Sequence, residues 1–219
     1  MKYGLPPLRL TAEEPRRLLP ALRPEGLAGA LVFDEWWVDP EALVKANLDA
    51  AVRRGADIRL GAEAVGLLKD GVRAAGVRLR FADGKEEDVP ARLVLNAAGP
   101  WADRVARLGG AEAPLRLRQG IHLVYDKRLE FLADRGKSLG LILQASDRRY
   151  VFVLPHGETT LVGPTDVATD RSPDALLPTE EEKKYLLSTV RGYFPSFPER
   201  YDRTLAGARP LLGRAGPEK

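Results

Sequence analysis

The segment from 115 to 169 restricts the fold of this chain more than any other. Four runs, "LRLRQGIHLVYD", "LGLILQA", "RYVFVLP" and "TTLVGPTD", are rich in aliphatic, β-branched and aromatic residues, with polar or glycine-containing turns between them. This spacing predicts an antiparallel sheet. One helix follows it. Thr179 and Glu182 make a capping-box pattern behind Pro178, and Leu186, Val190 and Tyr193 or Phe194 fall on one face before Pro195 stops the helix. Its expected role is to cover the sheet. A last apolar stretch, "TLAGARPLLG", comes after it.

Upstream, the pattern changes. "GALVF" (29–33) reads as a strand. In "VDPEALVKANLDAAVRRGADIRL", Asp39 can cap a helix, Pro40 suits its first position, and Gly55 ends it. The run 57–60 then reads as a second strand, so a parallel strand–helix–strand unit is expected. Residues 63–95 alternate apolar runs with the turn signals Lys69-Asp70-Gly71 and Ala82-Asp83-Gly84, the pattern of an antiparallel meander. In "LVLNAAGPWADRV" (93–105) a strand is expected to stop at small residues, with a helix starting behind Pro100. Ala97, Ala98 and Gly99 either permit a tight turn or let backbone amides approach a bound cofactor.

Composition removes several classes of function. With no cysteine there are no disulfides, thiol nucleophiles or thiolate metal ligands, and two histidines, His122 and His156, offer little for an imidazole cage. No metal site is expected. The 34 basic and 31 acidic residues show no polybasic block of the nucleic-acid-binding kind. Neither a membrane-length apolar run nor a signal-peptide pattern occurs, so a cytoplasmic location is the default expectation, with peripheral attachment to the inner membrane face left open. Arg53-Arg54 and Arg148-Arg149 read as solvated ends of elements, and Trp36 and Trp37 as packing residues at a domain boundary.

"NAAGPWAD", "RQGIHLVYD", "RRYVFVLPHGETTLVGPTD" and "LAGARPLL", in that order, resemble the FAD-dependent glycerol-3-phosphate dehydrogenases of the glycine-oxidase-like flavoproteins. The resemblance covers nearly the whole chain. It begins inside the family's pattern, because the G-x-G-x-x-G segment for the FAD pyrophosphate is absent, as is the later Gly-Gly loop near the flavin. The resemblance implies an α+β fold: an antiparallel or mixed-sheet substrate domain (1–28 and 111–219) plus an incomplete Rossmann-like FAD-binding portion with the β-meander (29–110).

The family's chemistry would convert glycerol 3-phosphate to dihydroxyacetone phosphate with FAD as cofactor, and an isolated portion is expected to be inactive. By resemblance, His122 holds or deprotonates the substrate hydroxyl and Arg209 grips the phosphate, these two being the catalytic candidates. Thr165 and Asp166 help shape the substrate site, and Ala97, Ala98 and Gly99 lie against the cofactor. From the residues alone, His122 is equally a packed strand histidine, Arg209 an arginine flanking a buried strand, and Thr165-Asp166 the close of a hairpin. Pro164 stands where the family usually has threonine, and Gln119 where it often has lysine. Three further readings stay open: completion by a complementary chain, a non-catalytic binding domain that self-associates through exposed apolar surface, and a related FAD-dependent enzyme acting on amino or hydroxy acids.

Overall fold

A computed structural model of the chain describes residues 7–35, 38–112, 115–129, 133–134 and 137–213; Trp36 and Trp37 lie outside them. The chain forms two units, 1–33 with 115–219 and 34–114. In the first, β1 (Leu8–Leu10) pairs antiparallel with β2 (Ala30–Val32), and α1 (Glu13–Leu18) falls between them in sequence.

The second unit opens with α2 (Pro40–Val52), whose Asp39 Oδ1 accepts from the N–H groups of Glu41 and Ala42 at 3.0 and 3.1 Å. These are two of the donors that a helix start leaves unpaired. The meander forms as predicted: β3 (Ala62–Asp70), β4 (Arg73–Phe81) and β5 (Glu86–Pro90) make a three-stranded antiparallel sheet. Gly71 and Gly84 supply the left-handed turn positions at φ 59° and 82°. A short helix, α3 (Ala102–Leu108), closes the unit.

The expected parallel unit is a correction. β2 pairs with β1, and residues 57–60 and 93–95 belong to no strand among those described. A strand is defined by its ladder partner, and apolar side chains alone do not supply one. Leu60, Leu93 and Leu95 are instead 83%, 72% and 82% exposed.

The first unit resumes with β6 (Leu115–Tyr125). The two-residue pair β7 (Ala133–Asp134) and β8 (Lys137–Ser138) follows, and then β9 (Leu141–Gln144), β10 (Tyr150–His156), β11 (Thr159–Gly163) and β12 (Val167–Thr169). Helix α4 (Glu180–Tyr193) and strand β13 (Arg203–Leu212) complete it. β13 occupies one edge of β6 over ten residue pairs, so β11 and β12 share the other edge in succession. Between them, at Gly163-Pro164-Thr165-Asp166, the register slips by one residue, and the Gly163–Pro164 peptide is cis. β10 and β9 extend the sheet beyond β11. The fold is thus α+β with antiparallel sheets.

Alternation along β6 gives this sheet two different faces. Ile121, Leu123 and Tyr125 point to a core completed by Val151, Val153, Val162 and, from α4 and the turn after it, Leu186, Val190, Phe194 and Phe197. Arg118, Gly120, His122 and Val124 point the other way. On that second face Ile142, Tyr150, Leu205 and Leu211 are exposed, and the candidate site lies there.

Candidate active site

The site begins with a side chain that is missing. Gly120 lies on β6 beside Gly207 of β13, and a Cβ built on Gly120 would come within 2.5–2.9 Å of the Arg209 guanidinium. Only glycine lets that group lie flat across the strand. Two residues further along the same face, His122 sits opposite Gly163 in register. A Cβ there would meet its imidazole at 2.6 Å and the Ile121 carbonyl oxygen at 2.7 Å. Two glycines therefore make room for two candidate side chains, Arg209 and His122, about 7 Å apart along the strand.

Arg209 is fixed along part of its perimeter. Nη1 and Nη2 each donate to the Thr165 carbonyl oxygen at 3.2 Å, and Nη1 also donates to Asp166 Oδ1 at 3.3 Å. Nε–H and the remaining Nη2–H have no acceptor among the described residues. The side chain is 41% exposed, and its Nε–Nη2 edge has no acceptor among the described residues to compete with an anion.

The register slip explains Thr165 and Asp166. Proline has no N–H for the ladder, and the hydroxyl of the next residue takes part in it: Thr165 Oγ1 accepts from the Ile121 N–H at 3.0 Å. The same hydroxyl donates to Glu182 Oε1 at 2.7 Å and is buried on the α4 side of the sheet. Thr165 thus contributes its carbonyl oxygen, not its hydroxyl, to the open face. Asp166 returns to the open face and accepts from three arginines. Arg118 Nε reaches its Oδ1 at 2.7 Å, Arg118 Nη2 and Arg149 Nη1 reach its carbonyl oxygen at 3.0 and 2.7 Å, and Arg209 completes the set.

Glu182, missed in the sequence as anything but a cap, supports the site from beneath. Its carboxylate accepts from Thr179 N–H, from the Gln119 side-chain amide at 2.7 Å and from Thr165 Oγ1. Gln119 and Glu182 are both buried, and this pairing accounts for the amide at position 119. Arg149 is also not a merely solvated end: it bonds Asp147, lies over the Tyr185 ring at 5.0 Å and reaches Asp166. The signal for Arg118 was in the sequence, because it alternates with Gly120 and His122 and so shares their face. The register of β13 was not.

Electrostatics favour a neutral imidazole. Burial chiefly, and then the charge of Arg209, hold the His122 pKa below its ordinary value of 6.5. His122 is thus unprotonated near neutral pH and available as a proton acceptor. No group of three or more His, Asp or Glu suited to a metal occurs among the described residues.

The sequence pattern of FAD dependent oxidoreductases (DAO) matches residues 1–217. The chain belongs to this family. It is 36% identical over 214 residues to the alpha-glycerophosphate oxidase of Streptococcus pyogenes serotype M18, covering 93% of this chain and 34% of that protein. The glycerol-3-phosphate dehydrogenase of Mycobacterium leprae is 30% identical over 210 residues, with the same coverage. The chain spans about a third of the length of these curated relatives. Among solved structures, the glycerol-3-phosphate dehydrogenase of Bacillus halodurans, complexed with FAD, superposes with a TM-score of 0.84 at 26% identity, over 94% of this chain and 43% of that one.

Membership in the FAD-dependent family gives the turn at 97–99 a second meaning. Asn96 ties it down, donating to the Ala102 carbonyl oxygen at 2.8 Å and accepting from Ala98 N–H at 3.2 Å. Gly99 has φ +53°, and nothing lies within 4 Å of where its Cβ would be. This small turn of Ala97, Ala98 and Gly99 is open at Gly99 and leaves room for close approach by a flat or extended group. They belong to the 34–114 unit, whereas His122, Arg209, Thr165 and Asp166 are gathered in the other. Among the described residues no helix is long and apolar enough to cross a membrane.

Proposed function

We propose that this chain is a portion of an FAD-dependent enzyme that oxidises glycerol 3-phosphate to dihydroxyacetone phosphate, and that its first unit carries the substrate-binding sheet. The observation that carries this reading is the open Nε–Nη2 edge of Arg209, on the same face as the unprotonated His122 two residues along from Gly120. The arginine edge is the donor pair for a phosphate, which it can hold by two parallel charge-assisted hydrogen bonds. His122 accepts the proton of the hydroxyl on the second carbon in concert with oxidation of that carbon, because its neutral imidazole offers a free lone pair at working pH. The flavin, when bound, is the acceptor of the hydride from that carbon. Thr165 and Asp166 fix the guanidinium, and the turn at 97–99 approaches the cofactor. The names of the relatives favour the phosphorylated substrate, and the exposed arginine edge agrees with it.

Isothermal titration of the chain with glycerol 3-phosphate and with glycerol tests the substrate reading. Binding is expected for the phosphate ester alone, and Arg209→Gln is expected to weaken it by ~10- to 100-fold, the worth of a charged hydrogen-bonded pair. Equal heats for the two ligands, or an unaffected variant, would sink the assignment. An absorbance spectrum after incubation with FAD reports separately whether the chain takes up flavin unaided.

A further inference from the structure

We infer that Arg118 is a specificity-determining positioning residue: it neutralises Asp166, so that Asp166 can clamp Arg209 without cancelling the charge Arg209 offers to a substrate phosphate. This inference rests on the phosphate reading of Arg209 given above. It starts from a conflict in the geometry. A carboxylate 3.3 Å from the guanidinium that is to bind an anion is a competitor for it, because its own negative charge occupies the cation and repels the ligand.

The structure resolves the conflict through the cross-strand pair of β6 and β13. Arg118 and Arg209 are register partners, both on the open face, and Asp166 Oδ1 accepts from both. The two contacts are unequal. Arg118 turns its Nε–Nη2 edge on Asp166, reaching Oδ1 at 2.7 Å and the main-chain carbonyl at 3.0 Å, whereas Arg209 makes only the longer contact from Nη1. The short, two-point partner takes the carboxylate. Arg209 gives up only its inner side, to Asp166 and to the neutral Thr165 carbonyl, and keeps its outer edge.

Arg118, Arg209 and Asp166 together carry one net positive charge beside the open donors. Arg149, which also reaches the Asp166 carbonyl, is balanced by Asp147 at 2.6 Å and leaves the count unchanged. Remove the charge of Arg118 and the remaining pair is neutral, with Asp166 free to draw Arg209 fully onto itself. An arginine at 118 therefore sets both the orientation of Arg209 and the net charge around it.

The test is a charge cycle read by isothermal titration with inorganic phosphate at low salt. Arg118→Gln is expected to weaken phosphate binding by ~10-fold, the scale of one lost charge at close range. Arg118→Gln combined with Asp166→Asn restores the single positive charge and is expected to return affinity to within about threefold of the parent. A purely structural role for Arg118 would not be repaired by removing its partner as well. Arg118→Lys keeps the positive charge beside Asp166 and is expected to bind phosphate within about threefold of the parent, which provides a check independent of how well Arg118→Gln folds. Unchanged affinity in Arg118→Gln, a double variant as weak as the single one, or a loss in Arg118→Lys as large as in Arg118→Gln would overturn the inference. If the parent and Arg209→Gln titrate alike, the phosphate reading itself is wrong and this inference falls with it; if only Arg209→Gln is impaired, the reading stands and the role of Arg118 does not.

Discussion

At the scale of single residues, the site depends on which groups are kept uncharged as much as on which are charged. His122 has Gly163 opposite it on one side and Leu205 on the other, with Arg209 near enough to oppose a second cation. Its depressed pKa makes stability depend on pH in a fixed direction. Above the ordinary histidine value of 6.5 the imidazole is neutral in both the folded and unfolded chains, and it contributes no pH dependence. As pH falls below that value the unfolded chain takes up a proton that the folded one resists. Stability therefore declines until the folded pKa is passed. Melting temperatures measured from about pH 7.5 to about pH 5 should fall for the parent, and the fall should be shallower in His122→Gln, which cannot titrate. Parallel profiles for the two proteins would mean that His122 is not held neutral by its surroundings.

At the scale of elements, what the sequence revealed and what it concealed have separate physical causes. Helix α4 was legible because its signals are local: Thr179 and Glu182 bond reciprocally as the motif requires, and Leu186 and Val190 are fully buried at helical spacing. Strands β6, β9, β10 and β11 were legible because each carries its own apolar run. Segments 57–60 and 93–95 read the same way, yet they lack ladder partners here, and partnership is not a local property. The site was half visible for the same reason. Arg209, Asp166 and His122 stood in recognisable motifs, but the pairing of Arg118 with Arg209 follows from the register of two strands some ninety residues apart. Glu182 shows how closely cap and site are joined, since one carboxylate accepts from the Thr179 N–H at the start of α4 and also holds the hydroxyl of Thr165 and the amide of Gln119. Glu182→Ala would remove the acceptor of the buried Thr165 hydroxyl and one of the two acceptors of the Gln119 amide together with the cap, and it is expected to cost about 2–4 kcal/mol in urea unfolding. A cost near that of an ordinary exposed cap, about 1 kcal/mol, would mean that water replaces the carboxylate and that the site is less dry than its burial indicates.

At the scale of the whole molecule, the two units differ in what holds them together. All the large buried apolar side chains of the described residues, from Leu19 through β6, β10 and β11 to Phe197, belong to the unit of 1–33 and 115–219. In the 34–114 unit, α2 buries none of its residues and leaves Leu43, Val44, Leu48 and Val52 exposed. Helices in proteins owe most of their stability to packing of an apolar face, so α2 is held mainly by its Asp39 cap and its own hydrogen bonds. Local opening of α2 should then be far cheaper than opening of the sheet. Native-state hydrogen exchange followed by mass spectrometry should show the amides of 40–52 exchanging at least ~100-fold faster than those of β6, β10 and β11. Equal protection, in a sample whose measured mass is that of a monomer, would refute this account of α2. Equal protection in an oligomer would instead show that its exposed leucines and valines have found a partner surface, as contiguous apolar patches on soluble proteins tend to do.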